Sequence, residues 1–373
     1  MATAELIVER EQDAAQAWRV PAQIPELDGV RGLAILLVMI CHSSMWLPDS
    51  PVRTVLLQGK VGVDLFFVLS GFLITGILLD TRDRPRALRN FYVRRGLRIW
   101  PLYFAFVFVA FTIPRRMIPP DVTPWVYALC IQNFICFASM GPLLDPLWSL
   151  AVEEQFYLFW PWIALRVRRQ TVLRICCVVL AFSPMIRCLF RAAGASPEFV
   201  YSNTLCRLDG IAMGGMIAAW IRDREFAIDA LQRLVRAAPL AGTLGLALTY
   251  AVVRTRLAIE LQYSFVALIF GGLLALVLLE QGTASTLARA FRSSSLGGLG
   301  RISFALYLFN LPIYTIAHGV GASRWLSHLP KAMAGAAVLV ASNLVLLAAA
   351  SLSWKFFESP ILGLKSRLAP RAS

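Results

Sequence analysis

Ten stretches of the 373-residue chain are apolar over a length that can cross a lipid bilayer. They cover 31–47, 61–79, 98–113, 147–165, 172–190, 204–221, 237–253, 262–280, 302–319 and 332–354. Lipid offers no partner for backbone N–H and C=O groups, so each stretch must satisfy its own backbone as a helix. The expected fold is therefore all-α: a polytopic transmembrane bundle of about ten spans with both termini cytoplasmic. The spans define one domain over 27–358, between an N-terminal segment at 1–26 and a basic tail at 359–373. Composition agrees, with mean hydropathy +0.66 and 16% charged residues, against about 25% in soluble proteins. No leader cleavage site follows the first apolar run, so that run is expected to stay as a helix.

The net charge of +14 does not imply nucleic acid. Its bases lie in short clusters between apolar segments, the pattern of membrane orientation. An eleventh candidate, 123–138, is short and carries Gln132 and Asn133. With 123–138 non-spanning and the N-terminus inside, most of the 36 Lys and Arg fall on the cytoplasmic side; if it spans, the majority turns outward. The segment is therefore expected to be interfacial or re-entrant. The most basic stretch, 80–98, holds Arg82, Arg84, Arg86, Arg89, Arg94, Arg95 and Arg98. The stretch 281–300, rich in Gly and Ser, reads as a loop.

The first span opens with a charged turn, Asp28-Gly29-Val30-Arg31, and carries His42 near its far end. Eleven residues bring Arg31 and His42 to one face, about 16 Å apart along the axis. Ionisable groups in lipid face a protein interior and mark function, although an arginine at a helix end can also snorkel to headgroups. Other spans carry Asp64, Glu153 with Glu154, Arg207 with Asp209, and Asn310. On the ten-span topology His42, Asp64, Glu153 and Asp209 all lie about 5–9 Å below the outer surface. Asp64 alone needs only the helix N-terminal dipole to explain it. His42 and Glu153 together read as a shared site, with the histidine as general base and the carboxylate orienting it. Arginines at the cytoplasmic face suit a phosphorylated ligand. The seven cysteines, Cys41, Cys130, Cys136, Cys176, Cys177, Cys188 and Cys206, form no C-x-x-C pair and read as buried thiols. His318 and His328 are the other histidines; no metal-binding motif is present and no metal is expected.

Seven strings in order, LDGVRG with Arg31-x10-His42, GVDLFFVLSGFLI, RRGLRIWPLY, LWSLAVEEQFYLFWP, RLDGIAMGG, ISFALYLFNLPI and FFESPI, resemble acyltransferase family 3. These are integral-membrane enzymes that O-acylate polysaccharides, peptidoglycan, lipid-linked sugars and similar acceptors. The resemblance implies ten spans in a bacterial inner (cytoplasmic) membrane. It implies a cytoplasmic acyl-CoA donor, commonly acetyl-CoA, and a carbohydrate or lipid-linked sugar acceptor. His42 and Arg31 would be its essential pair, Arg95 and Arg98 its paired donor-binding arginines, and Glu153 its motif acid. Asp64, Ser70, Glu154, Tyr157, Asp209 and Asn310 fall on motif positions that would line the site, with Ser70 as a weaker candidate for a covalent acyl carrier. One position departs: the family often has histidine where this chain has Asn310, which hydrogen-bonds but cannot titrate. Some members carry a fused extracytoplasmic domain; this chain is expected to be the stand-alone form. A glycan or glycolipid transporter using the same polar interior is the alternative, disfavoured because no inverted repeat is visible.

Overall fold

The computed structural model describes residues 24–112, 122–135, 141–223, 228–251, 260–319 and 331–370. Most of the expected N-terminal segment, together with Cys136 and His328, lies outside the described residues. Ten long helices carry the fold: α1 (Pro25–Ser44), α2 (Gly62–Thr81), α3 (Ala87–Thr112), α4 (Leu147–Ala164), α5 (Arg169–Ala192), α6 (Thr204–Trp220), α7 (Ile228–Ala251), α8 (Gln262–Leu279), α9 (Ser303–Gly319) and α10 (Lys331–Ser353). Each overlaps one of the expected apolar stretches, and no strand occurs among the described residues. By length and composition five helices qualify as membrane spans: α1, α2 with the short helix before it, α5, α8, and α10 with its continuation. A sixth forms if α9 is joined to the helix before it across a 76° bend. The helices outside this set include α3, which opens on Arg89, Arg94, Arg95 and Arg98, and α4, which carries Glu153 and Glu154.

The segment 124–135 is not one helix. It forms Pro124–Ala128 and Gln132–Ile135, with Cys130 between them at φ 52°. Gln132 and Asn133, polar groups that lipid would not tolerate, are fully buried. Gln132 Nε2 donates to Leu147 O at 2.8 Å, and Asn133 Nδ2 donates to Thr204 Oγ1 at 2.8 Å and Ser202 O at 3.1 Å. The two amides thus tie the segment to the starts of α4 and α6.

Helix α2 lies at the centre. A Cβ added to Gly71 would sit 1.9 Å from Ile211 O, and one on Gly214 would sit 1.9 Å from Val68 O. Only glycine lets the α2 and α6 backbones approach so closely, the small-residue packing of membrane helices.

Contacts between chain segments sort the helix ends into two groups. At one end Glu26 of α1 accepts from Arg292 Nη1 at 3.0 Å and Gly282 N at 3.1 Å. Arg82 Nη2 caps α4 through Ala164 O at 2.7 Å and Val167 O at 2.6 Å, and Arg222 donates to Asp80 at 2.7 and 2.8 Å. Arg94 Nη2 donates to Ala369 O at 2.5 Å. At the opposite end Cys41 Sγ meets Leu57 O at 3.3 Å, and Tyr307 Oη donates to Pro146 O at 3.0 Å.

Local structure refines the sequence readings. The charged turn Asp28–Arg31 is already part of α1, with Arg31 Nη1 bonded to Asp28 Oδ1 at 2.7 Å. The basic stretch 80–98, which reads from sequence as a loop running into a helix start, is helical from Ala87. The 281–300 stretch folds as Thr286–Phe291 and Ser294–Arg301, each N-capped by a serine, Ser285 and Ser293. One of its glycines serves close approach: a Cβ on Gly300 would meet Asp28 O at 1.8 Å.

Candidate active site

A cavity of about 100 Å³ lies between α1, α2, α3, α4 and α9. Its lining on α2 runs from Val63 to Ile74, eleven helical steps or about 16 Å of helix. Arg31, Arg95 and Arg98 line one end, and Ser70 and Glu153 line the middle. Ser149 and Tyr307 line it towards the opposite end, where their hydroxyls meet at 2.6 Å.

The centre is a closed set of hydrogen bonds. Ser70 Oγ donates to Glu153 Oε1 at 2.9 Å, and Tyr157 Oη donates to Glu153 Oε2 at 2.5 Å. Arg95 Nη2 donates to the Tyr157 hydroxyl, and its guanidinium lies over the Tyr157 ring at 3.9 Å. Arg95 Nη2 also lies 3.6 Å from Glu153 Oε2. Both carboxylate oxygens are thereby fixed. A carboxylate accepting the serine proton is the arrangement of a base beside a nucleophile.

His42 has a different partner. Its Nδ1 meets Asn310 Oδ1 across α1 and α9. The Asn310 amide nitrogen donates to Leu306 O at 2.8 Å and Tyr307 O at 2.7 Å, so the amide cannot present its NH₂ to the ring. The facing atom is an acceptor, so Nδ1 carries the proton and Nε2 keeps its lone pair. Asn310 is fully buried and lies one turn beyond Tyr307, which puts His42 beside the Tyr307 end of the cavity.

The expected hydrogen bond between His42 and Glu153 is therefore replaced by two separate pairings. The common depth of four ionisable groups also does not make one site. Arg207 Nη2 donates to Asp64 Oδ1 at 2.6 Å, and Arg187 Nη1 donates to Asp209 Oδ2 at 2.8 Å. Arg187 Nη2 also donates to Ser264 Oγ at 2.6 Å, and Arg207 lies 4.1 Å over the Tyr263 ring. Arg187 and Arg207 are 0% and 1% exposed, so Asp64 and Asp209 are consumed by buried pairs. Asp64 also lines a second cavity of about 390 Å³ beside Lys60, Tyr201 and Tyr263. Glu154 turns away from the first cavity and accepts from Trp100 Nε1 at 2.9 Å.

Of the residues named from sequence, Arg31, Arg95, Arg98, Ser70 and Glu153 line this cavity and Tyr157 bonds Ser70, although the sequence reading set the arginines at the cytoplasmic face and Glu153 in the outer half. That reading did not single out Ser149, Ser303 and Tyr307, which lie within the quoted strings LWSLAVEEQFYLFWP and ISFALYLFNLPI. No group of residues able to hold a metal occurs among the described residues.

A family model described as an acyltransferase domain matches residues 24–354. The chain is 27% identical to the peptidoglycan O-acetyltransferase OatA of Listeria monocytogenes over 91% of its own length and 56% of that protein's. It is 25% identical to the O-acetyltransferase OatA of Staphylococcus aureus, over 91% and 57%. It is 32% identical to the putative peptidoglycan O-acetyltransferase YrhL of Bacillus subtilis, over 52% and 33%. The match thus spans little more than half the length of the first two relatives, and no solved structure matches the chain.

Proposed function

From the premise that this chain belongs to the acyltransferase family, whose model covers most of it, we propose a membrane-embedded O-acyltransferase. The donor is cytoplasmic acyl-CoA, acetyl-CoA in the simplest case, and the acceptor is a hydroxyl of a carbohydrate, free or lipid-linked. One observation carries this reading: a single cavity joins three arginines to a hydrogen-bonded serine and carboxylate, and Asn310, one turn beyond the lining residue Tyr307, holds Nδ1 of His42 and leaves Nε2 to accept. Arg31, Arg95 and Arg98 bind the donor's phosphates, because guanidinium forks match phosphate oxygens. The acyl thioester then lies along the cavity past Ser70 and Glu153. His42 Nε2 takes the proton of the acceptor hydroxyl, the hydroxyl oxygen attacks the thioester carbonyl, and the thiolate leaves and takes up a proton. Asn310, rather than Glu153, orients the imidazole. Glu153 fixes Ser70, Tyr157 and Arg95 around the thioester.

The arginine-rich end is the cytoplasmic end in this reading, with ten spans and both termini inside a bacterial inner membrane. Support comes from the end contacts, which gather Glu26, Arg82, Arg94, Arg222 and Arg292 on one side. Single cysteines at Gln170, Ser293 and Ser366, in a chain freed of native cysteines, should then resist an impermeant thiol reagent in intact cells. The activity is tested by CoA release from acetyl-CoA by the full chain in nanodiscs, with His42→Ala as control. No release above that control, in the presence of a glycan acceptor, would overturn the donor assignment.

A further inference from the structure

The C-terminal segment continues α10 past its apolar stretch and folds back onto the arginine-rich end. After α10 the chain makes a π-helical turn, Trp354–Glu358, then the short helices Ser359–Gly363 and Lys365–Leu368. The last of these packs against α3. Ala369 is fully buried, with its carbonyl held by Arg94 at 2.5 Å. Arg98 lies 5.6 Å over the Trp354 ring. This docking sets Lys365, half-buried, within the field of Arg31 on α1 and of Arg94, Arg95 and Arg98 on α3.

Three of these bases line the cavity mouth, and Arg94 and Lys365 lie on the two packed helices beside it. The carboxylates within reach are Asp28 on Arg31 at 2.7 Å, Glu153 at 3.6 Å from Arg95, and Glu358 in the turn, whose charge acts on Arg98. Positive charge is left over, and the buried Arg95 Nε has no hydrogen-bond partner. Like charges held together cost free energy unless a ligand neutralises them. A tail serving only membrane orientation would point its lysine to solvent or headgroups instead.

We infer that Lys365 is a further ligand-binding residue, closing over the mouth to hold the phosphates of a phosphoanhydride ligand together with Arg31, Arg95 and Arg98. The inference rests on the donor reading above and extends it to the part of the chain that follows α10. Burial and the four arginines push the Lys365 ammonium down to about 8 before any ligand binds. An anion at the mouth opposes that push, so binding above this pH requires proton uptake by Lys365.

The test uses the full chain in phosphatidylcholine nanodiscs, with inorganic pyrophosphate and CoA as soluble probes and calorimetry as readout. Lys365→Gln should weaken pyrophosphate about tenfold, and Lys365→Arg should retain it. Wild-type affinity should fall as the pH rises above about 8, while Lys365→Arg stays flat. Equal pyrophosphate binding by wild type and Lys365→Gln overturns the inference. If the Gln variant unfolds early, the Arg variant decides: a wild-type-like fall above pH 8 overturns the inference and a flat profile supports it. The donor reading fails separately. Wild type that binds pyrophosphate through Lys365 but not CoA keeps the cation site and loses the donor. Lys365→Gln that binds CoA as wild type does keeps the donor and loses the role of Lys365. Adding phosphatidylglycerol separates the phosphate sources: displacement of pyrophosphate only when Lys365 is present assigns the site to a lipid headgroup, and undisturbed binding assigns it to the soluble ligand.

Discussion

Arg187 and Arg207 sit against Asp209 and Asp64 at 2.8 and 2.6 Å, with exposures of 0% and 1%. At the other end of α2, Arg31, Arg95 and Arg98 line a cavity, and two carboxylates, Asp28 and Glu153, pair with Arg31 and Arg95. The residue types are the same and the outcome is opposite. In the first cluster each guanidinium has a carboxylate, and Arg187 spends further donors on Glu260 O, Cys206 O and Ser264 Oγ, while Arg207 keeps Nε and Nη1 unpartnered beside the Tyr263 ring. The second holds more cationic groups than carboxylates. Buried charge is costly wherever it occurs, so one-to-one pairing marks architecture and surplus cations mark a ligand.

The sharpest way to break this contrast is to remove one partner from each cluster. Arg187→Ala strands Asp209 in the bundle and should cost about 3–5 kcal/mol, read as a lost unfolding transition in detergent. Replacing both members, Arg187→Met with Asp209→Leu, should restore much of that stability. Arg98→Ala relieves repulsion and should change stability by less than about 1 kcal/mol. If Arg98→Ala unfolds the protein as readily as Arg187→Ala, both clusters are structural.

Function should show the reverse. His42→Ala should lower turnover on the order of 10³-fold in a chain that still folds, since Nε2 is the base. Wild-type turnover by well-folded His42→Ala would remove the mechanism. Arg95→Ala and Arg98→Ala should each raise the apparent KM for acyl-CoA about tenfold, with kcat affected less. Donor titrations unchanged in both would return these arginines to membrane orientation. The smallest effect belongs to Ser70→Ala, about threefold to tenfold if Ser70 only hydrogen-bonds Glu153. Complete loss, with acyl label trapped on wild-type Ser70 and absent from the variant, would make Ser70 a covalent carrier and Glu153 its base.

The helices were legible in the sequence; the direction around each was not. The ten apolar stretches overlap α1–α10, and 124–135 is broken at Cys130 rather than one long helix. His42, Asp64, Glu153 and Asp209 were expected at one depth, but which neighbour each meets depends on the rotation of α1, α2, α4 and α6 about their own axes, and Glu153 meets Arg95 of the basic stretch. That rotation is fixed by close contacts such as Gly71 with Ile211 and Gly214 with Val68, which no single helix reveals. Arg187 and Arg207 were visible as arginines inside spans, yet their partners lie on other helices. Asn310 in place of the family's usual histidine was visible too, but its pairing with His42 spans 268 residues. Lys365 was hidden for another reason. It lies in a stretch that composition describes only as basic, and its place comes from the fold-back through Ala369.

The knot of Tyr307, Ser149 and Pro146 has a bioenergetic consequence. Tyr307 Oη lies 2.6 Å from Ser149 Oγ and 3.0 Å from Pro146 O, and all these groups are buried around it at 6% and 4% exposure for the tyrosine and serine. A bacterium that opened a wet channel from an arginine-lined vestibule to its exterior would dissipate its proton-motive force. Hydroxyls already satisfied by each other offer no foothold for a continuous file of water. In the direct transfer proposed above, the acyl group passes such a barrier in one step from thioester sulfur to acceptor oxygen, while protons and ions stay on the side where the cell keeps them.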